Sequence, residues 1–507
     1  MTTCCKIDIA TIFSQMKKVG SGFSPLVVID RQGDKPLHRQ IYDAFSTAIR
    51  KRNLHAGQRV PSSRALALEL KISRIPVLSA YSQLHAEGYF ETRTGSGTFI
   101  SGSRPDRKRP IGHSVDSTPV IQADRRLVSR RSTFLPPFHP QPGVNKLGAF
   151  VVGQVAIDQF PFGVWSRLSS RNAHKLRVGS LQYANPLGCE RLRQTIAEYL
   201  KTTRAVNCDA AQIMIVSGSQ QALQLCAHAL LDPGDKVWME EPGYWLAHHV
   251  FLMTGCRLVP VPVDAEGLNV QAGMEISREA RAAFVTPSHQ FPLGATMTAS
   301  RRAQLLEWAH SAAAWIIEND YDSEYRYNSR PVESLQGLDP NGRVIYIGTF
   351  SKILFPCMRL GYVVIPPDLV SRFLAVRQAM DVCPPHLYQA IVKDFIDDGH
   401  FARHIRRMRP LYAERRTALV EAIRNELPDA QLLGADAGLH LVVTLPKGLQ
   451  DRSVSEWAAR GNLWLWPLSP CYLEAEACQG LILGFGSTPP KQMPQAVRTL
   501  RDAIKSA

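Results

Sequence analysis

In the stretch Gly348-Thr349-Phe350-Ser351-Lys352, a lysine stands among hydroxyl residues just after an apolar run, Val344 to Ile347. Such a run is typical of a buried strand, so the lysine is expected at a strand end. A lysine in that setting suits a Schiff base with the aldehyde of pyridoxal 5'-phosphate. We therefore predict that Lys352 holds this cofactor, with Thr349 and Ser351 beside it.

A polar block follows the apolar run that precedes Glu318. It reads Glu318-Asn319-Asp320-Tyr321-Asp322-Ser323-Glu324. An aromatic and a polar side chain there can fix the cofactor ring, so we predict that Asn319, Asp320 and Tyr321 bind it. Strand side chains alternate between faces, so only one of Asn319 and Asp320 can point toward the ring. The sequence leaves that choice open.

The turn Gly218-Ser219-Gln220-Gln221 is a candidate phosphate site, because it joins a predicted strand to a predicted helix. Backbone N–H groups at a helix N-terminus, with the Ser219 hydroxyl, suit a phosphate dianion, and Gln220 is predicted to lie with them. Arg359 adds a guanidinium that suits the same group.

Residues 143–507 alternate short β-rich apolar runs with helical segments. This order favours an α/β fold with a mostly parallel sheet, and the last hundred or so residues are predicted to form a small C-terminal subdomain. Ligands of such sheets bind beyond the carboxyl ends of the strands, where the candidate residues fall.

Near the N-terminus, residues 35–103 predict a winged helix-turn-helix. Three helical segments, the second opened by Pro61-Ser62-Ser63 and the third by Ser73, precede two short extended runs. Those runs flank Arg93-Thr94-Gly95-Ser96-Gly97, a glycine-containing hairpin.

Charge and composition limit the function classes. The formal net charge is +15, and residues 1–110 carry +10 of it. Such concentrated positive charge favours a polyanion such as DNA as a binding partner, although basic segments are often only solvated surface. Residues 104–142, rich in Arg, Pro, Ser and Gly, predict a flexible linker. The 10 cysteines show no paired metal-ligand spacing, so we expect no metal site. No apolar run is long enough to span a membrane, so we expect a cytoplasmic location.

Both parts of the chain resemble known families. Residues 35–100 resemble the GntR-type winged helix, residues 143–507 resemble a fold-type-I, class I/II aminotransferase, and their fusion resembles the MocR family of bacterial transcriptional regulators. The phrases typical of that family are Glu241-Pro242-Gly243-Tyr244, Thr286-Pro287-Ser288-His289-Gln290-Phe291-Pro292-Leu293-Gly294 and Asp320-Tyr321-Asp322-Ser323-Glu324.

The resemblance implies roles for individual residues. Pyridoxal phosphate is expected on Lys352, with Tyr321 near its phenolic oxygen, Tyr244 lining the pocket and Arg359 on the phosphate. For DNA, it implies operator contacts by the following residues: Arg64, Ser73, Arg74 and the wing glycines Gly95 and Gly97. It also implies a homodimer.

The chain departs from its family at positions that matter for chemistry. Asn319 stands where a carboxylate usually pairs with the pyridine nitrogen, and an amide there implies poor transaminase turnover. Gly486, Ser487 and Leu246 stand where an arginine would clamp a substrate carboxylate. These departures favour pyridoxal phosphate itself or a less anionic amine as effector.

The function that fits both parts is a DNA-binding transcriptional regulator controlled by pyridoxal phosphate, alone or with an amine. The alternatives are a working aminotransferase with a DNA-binding appendage, and a regulator whose larger domain has lost the cofactor and only dimerises.

Overall fold

The computed structural model describes residues 26–31, 33–102, 129–133, 135, 148–176, 182–327, 333–434 and 436–507. Two compact units divide the chain, Met1–Ala123 and Asp124–Ala507. The predicted linker, residues 104–142, lies almost wholly outside the described residues, so its flexibility stays a prediction.

The first unit has the predicted winged helix-turn-helix fold. Its elements are α1 (Leu37–Arg50), α2 (Ser63–Glu69), α3 (Arg74–Ala86), β1 (Phe90–Arg93) and β2 (Gly97–Ile100). The two strands form an antiparallel hairpin. Ser62 caps α2 by accepting a 3.2 Å hydrogen bond from the Ala65 N–H. Ser73 occupies the N-cap position of α3 as predicted, but its hydroxyl makes no cap hydrogen bond within the described residues.

Three aromatic rings hold this small core together. The rings of Phe45, Tyr81 and Phe90 pack edge to face, with centroids 5.1 to 5.8 Å apart. They link α1, α3 and the hairpin, so α3 is fixed by its buried face and its other face is left to solvent.

An eight-stranded sheet forms the centre of the second unit. The strands are β3 (Ile213–Val216), β4 (Lys236–Glu241), β5 (Arg257–Asp264), β6 (Gly267–Leu268), β7 (Ala282–Val285), β8 (Trp315–Asp320), β9 (Val344–Thr349) and β10 (Gly361–Val364). Their order is β3-β10-β9-β8-β7-β4-β5-β6. The pairs from β5 to β9 are parallel, whereas β10 is antiparallel to both neighbours and β6 is antiparallel to β5. The prediction of a mostly parallel sheet is confirmed.

Helices cover this sheet on both faces. In chain order, the helices of this part of the chain are α4 (Arg130–Thr133), α5 (Phe162–His174), α6 (Glu190–Arg204), α7 (Ser219–Leu230), α8 (Trp245–Thr254), α9 (Val270–Ser277), α10 (Ala299–Ser311), α11 (Leu335–Leu338), α12 (Val370–Met380), α13 (His386–Asp397) and α14 (His400–Glu426). No helix in the described ranges combines the length and the apolarity that crossing a membrane demands.

The C-terminal part forms the expected subdomain around a second sheet. It contains β11 (Leu432–Leu433), β12 (His440–Thr444), α15 (Asp451–Arg460), β13 (Trp466–Pro467), β14 (Gly480–Gly484) and α16 (Met493–Ser506). The sheet is antiparallel with the order β11-β12-β14-β13.

The sheet topology gathers the predicted cofactor residues at one edge. Strand β3 is antiparallel to β10, which is antiparallel to β9, so β3, β8 and β9 run in the same direction. Their carboxyl ends, at Val216, Asp320 and Thr349, therefore meet at one edge of the sheet.

Candidate cofactor site and nucleic-acid interface

Lys352 lies in the turn after β9, and its amine rests against a distant backbone segment. Nζ donates a 3.1 Å hydrogen bond to the Gly153 carbonyl. Gly153 has a φ of +81°, which favours glycine, and a Cβ there would overlap the present position of Nζ, so the amine would have to move. Burial lowers the pKa of Lys352 to about 8, with Asp322 opposing the shift and Arg359 adding to it. The amine is thus prepared for nucleophilic attack near neutral pH.

Arg359 and the start of α7 meet beyond the carboxyl end of β3. The Arg359 Nη2 donates a 3.0 Å hydrogen bond to the Ser217 carbonyl. Gly218, at a φ of +80°, lets the backbone approach the guanidinium, because a Cβ there would lie 3.1 Å from its central carbon. Within the described chain no side chain caps α7, whose first turn includes Ser219 and Gln220. Its N–H groups and the guanidinium together suit an anion.

Tyr244 belongs to the same cluster. It precedes α8 and lies beside Gln220 and Arg359. Its ring packs edge-on against Phe291, with the centroids 5.5 Å apart. Burial raises the pKa of Tyr244, so its hydroxyl stays a neutral donor.

Asp320 is held on one face of β8 by a buried ion pair. Its Oδ2 accepts hydrogen bonds of 2.8 Å from Arg204 Nε and 2.6 Å from Tyr346 Oη. The side chains of Asp320, Arg204 and Tyr346 are all buried. The carboxylate therefore stabilises the packing of α6 on the sheet.

Asn319 lies on the opposite face of β8, as alternation requires. Ile317, two residues earlier on that face, packs in one apolar cluster with Ala222 and Leu223 of α7. Asn319 therefore lies on the face that carries the helix starting at Ser219. Its buried Oδ1 has no hydrogen-bond partner within the described residues.

Thr349 and Ser351 frame the turn that carries Lys352. The Ser351 N–H donates a 3.2 Å hydrogen bond to Thr349 Oγ1, which fixes the start of the turn. Ser351 Oγ is buried and, within the described residues, unpaired.

Tyr321 is tied to a network that the sequence analysis missed. Its hydroxyl donates a 2.9 Å hydrogen bond to the His289 carbonyl and lies 3.2 Å from His289 Nδ1. That nitrogen lies 3.2 Å from Asp322 Oδ2, to which it donates. Burial raises the pKa of Tyr321, and the nearby Asp322 charge raises it further, so the phenol stays protonated.

His440, from the C-terminal subdomain, completes this network. Its ring centroid lies 4.9 Å from that of His289, and burial lowers its pKa to about 3, so it is neutral. The donor atoms of His289, Asp322 and His440 lie within 4.8 Å of one another, which is also the composition of a metal site. However, His289 Nδ1 is already bonded to Asp322, and His440 Nε2 donates to the Pro292 carbonyl at 3.1 Å. We therefore describe the cluster as a hydrogen-bonded network.

A signal for part of this network was present in the sequence. His289 and Asp322 both stand in the family-typical phrases quoted above, whereas His440 stands in an ordinary strand pattern. Only the fold brings His440 to them.

In the first unit, the predicted DNA-contacting residues lie around the exposed start of α3. Arg64, Ser73 and Arg74 are exposed. The Nε of Arg74 donates a 3.1 Å hydrogen bond to Ser63 Oγ on α2, which limits the directions that the guanidinium can take.

The predicted wing glycines lie at the hairpin turn. Gly95 and Gly97 have φ values of +75° and +110°, a region that other residues rarely adopt. Gly97 also faces Arg59, whose Nε would lie 3.1 Å from a Cβ there.

Comparisons with known proteins agree with this division. The family "Bacterial regulatory proteins, gntR family" matches residues 37–100, and "Aminotransferase class I and II", whose members use pyridoxal phosphate, matches residues 158–476. The chain is 39% identical to the probable rhizopine catabolism regulatory protein MocR of Rhizobium meliloti, over 94% of this chain and 96% of that protein. It is 30% identical to the HTH-type pyridoxine biosynthesis transcriptional regulator PdxR of Corynebacterium glutamicum, over 92% and 95% of the two chains.

A solved structure extends the comparison to the larger unit. The crystal structure of Pyrococcus horikoshii kynurenine aminotransferase in complex with PMP is similar with a TM-score of 0.69 and 27% identity, over 76% of this chain and 98% of that one. The relatives cover both domains in the same order as here. The chain therefore belongs to the MocR family of HTH-type transcriptional regulators, in which a GntR-type DNA-binding domain is joined to an aminotransferase class I and II domain.

Proposed function

We propose that this chain is a transcriptional regulator whose binding to a DNA operator responds to pyridoxal 5'-phosphate, alone or with an amine, held around Lys352. The observation that carries the proposal is a lysine amine whose pKa is lowered by burial, with Arg359 and Asp322 near it, in the same chain as a GntR-type domain.

The polar atoms around Lys352 fit such a ligand. The buried side-chain atoms without a partner within the described residues include His289 Nε2, Asn319 Oδ1 and Ser351 Oγ. Leaving a buried polar atom unpaired costs about 1–3 kcal/mol. A polar ligand that bonds to several of them recovers part of that cost, which supports a ring with phosphate and phenolic groups.

Each end of the ligand has matching residues. Arg359, Ser219 and Gln220, with the N-terminus of α7, would hold the phosphate. Tyr321 would lie near the phenolic oxygen, to which its hydroxyl would donate on releasing the His289 carbonyl, and Tyr244 would line the pocket. Thr349 and Ser351 would fix the turn that presents the Lys352 amine to the aldehyde.

Asn319, rather than Asp320, is then the residue that faces the pyridine nitrogen. Both residues have a buried Oδ1 without a partner in the described residues, but Asp320 Oδ2 is bonded to Arg204 and Tyr346, whereas Asn319 lies on the α7 face. The cofactor supplies an electron sink only while its ring nitrogen is protonated, and an amide cannot hold that proton as a carboxylate does. This favours ligand sensing over the alternative of an aminotransferase with efficient turnover.

No arginine stands at the positions where the family resemblance implies a carboxylate clamp. A Cβ at Gly486 would overlap the Gln154 carbonyl, so no arginine side chain fits there without backbone movement. Leu246 stands at the other family position. These residues support pyridoxal phosphate itself or a weakly anionic amine as effector.

The relatives' names are consistent with either effector. One relative is named for pyridoxine biosynthesis and another for rhizopine catabolism. On this proposal, the larger domain forms a homodimer, and residues 104–142 act as a flexible linker. Two DNA-binding domains then engage a two-part operator in the cytoplasm, each raising the other's effective concentration.

The cofactor is tested by reduction and peptide mapping. Purified protein is incubated with pyridoxal phosphate and reduced with borohydride, and the expected modified peptide contains Lys352. Lys352→Ala should abolish the label, and Lys447→Ala, a change of an exposed lysine in the same unit, should keep it. Label on other lysines only would reject the site.

Regulation is tested separately from cofactor binding. Operator affinity of the full chain is measured with and without pyridoxal phosphate and across a panel of amines, in wild type and Lys352→Ala. We expect a ligand-dependent change only in wild type. Amino-group transfer at ordinary enzyme rates, with no effect on DNA binding, would instead support the aminotransferase alternative.

A further inference from the structure

Helix α3 exposes two large apolar side chains at its N-terminal end. Ile75 is 76% exposed and Leu78 is 44% exposed. They lie one turn apart, so they share a face of the helix. At 100° per residue, that face is opposite the buried residues Val77, Ala80 and Leu84.

The core of the domain does not explain this exposure. Residues of all three helices and the hairpin close a continuous apolar cluster that includes neither Ile75 nor Leu78. Leu78, with Ser82 and Thr98, lines a groove of about 580 Å³ between α3 and the hairpin. The two side chains therefore contribute little to stability and remain available to a partner.

The same face is poor in charge. Its other exposed residues include Ser79 and Ser82, and Arg74 is the only permanently charged residue of α3. Contacts to phosphate therefore have to come mainly from other parts of this basic domain, and α3 offers apolar and hydroxyl groups instead.

In a DNA major groove, the C5-methyl of thymine is the apolar group that a base edge presents, and guanine presents the acceptor pair that arginine reads. Arg74, oriented by its bond to Ser63, stands next to Ile75. We propose that Ile75 and Leu78 recognise thymine methyl groups beside a guanine read by Arg74. This rests on the proposed function and adds the base preference of the operator.

The test removes the methyl groups without changing any hydrogen bond. An operator is first selected from random DNA with the full-length protein, and each thymine is then replaced in turn by uracil. Loss of a contact the size of one methylene weakens binding about fourfold. We therefore expect uracil to lower operator affinity by about that factor at one or two thymines in each half-site, and we call this loss of affinity the uracil penalty. The penalty should be independent of salt, because a methyl contact releases no counterions.

Protein variants assign the penalty to these residues. In Ile75→Ser and Leu78→Ser, binding to the thymine operator should fall, and the uracil penalty at the matching position should vanish. Leu68→Ser is the matched control, since Leu68 is 82% exposed but lies on α2, and its uracil penalties should equal those of wild type.

The outcomes separate this inference from the function on which it rests. If no sequence is enriched from random DNA, the regulator proposal fails. If specific binding occurs without any uracil penalty, or if both serine variants keep the penalty, only the thymine readout is overturned. A change in oligomeric state in the serine variants, with uracil penalties unchanged, would assign the apolar pair to a second copy of the chain and also overturn it.

Discussion

Exchange of Asn319 for aspartate should convert the proposed sensor toward an amino-group transferase. Asn319 is 4% exposed, and its Oδ1 is unpaired within the described residues, so the substitution places a carboxylate where the ring nitrogen of bound cofactor is expected. Without cofactor, this carboxylate would be buried with no compensating donor. We therefore expect the free protein to lose stability and the loaded protein to recover it.

The size of the effect follows from the bond that is added. A hydrogen bond to a charged partner contributes about 1.5–3 kcal/mol. This corresponds to a gain of roughly 10- to 150-fold in cofactor affinity or in the protonated fraction of the ring. A similar factor is expected in the rate at which the loaded protein takes an amino group from an amine donor.

The assay is a single-turnover reaction followed by the absorbance of the loaded protein, together with equilibrium binding of the cofactor. Asp320→Asn is the matched exchange. It should leave cofactor absorbance unchanged but lower the free energy of unfolding by about 3–5 kcal/mol, because the buried Arg204 keeps its bond to Ser288 but loses its carboxylate partner. The assignment of Asn319 is refuted if Asn319→Asp behaves as wild type while Asp320→Asn changes the cofactor.

Three further predictions concern the lysine and the DNA surface. The rate of pyridoxal phosphate uptake by free protein should rise with pH up to about 8 and then level off. The neutral amine is the form that reacts, and the pKa of Lys352 is lowered from 10.5 to about 8. Stopped-flow rates that still rise tenfold per pH unit above 8 would contradict this. Gly153→Ala should lower the free energy of unfolding by about 1–2 kcal/mol through its left-handed backbone, and it should lower cofactor retention on gel filtration because the methyl group displaces Nζ. Retention equal to that of wild type would show that the close approach does not matter for binding. Arg74→Ala should weaken specific operator binding by roughly 1–3 kcal/mol and relax sequence preference in gel-shift titrations, and Ser63→Ala should do so less; unchanged affinity and selectivity would reject the role of Arg74.

Local patterns predicted most of the architecture. The position of Lys352 after a buried strand, the helix-opening turn at Ser219 and the three helices before Gly95 all depend on neighbours in sequence. The resemblance added roles for Tyr321, which bonds to His289, and for Arg359, whose charge acts on Lys352. Those roles stay predictions until the cofactor is bound.

Contacts between distant segments could not be predicted in the same way. The carbonyl that holds Lys352 belongs to Gly153, 199 residues earlier, and His440 reaches His289 from the other sheet. Nothing in the sequence around either residue signals the other.

The sequence by itself determined which elements form and which residues end them, because helix and strand periodicity, caps and turn glycines act over a few residues. It also established that only one of Asn319 and Asp320 can face a ligand. Tertiary structure alone placed Asp320 against Arg204 of α6 and Asn319 on the opposite face, which carries α7, because these positions depend on how helices pack on the sheet. It alone also left Ile75 and Leu78 exposed, because the core of the small domain is complete without them.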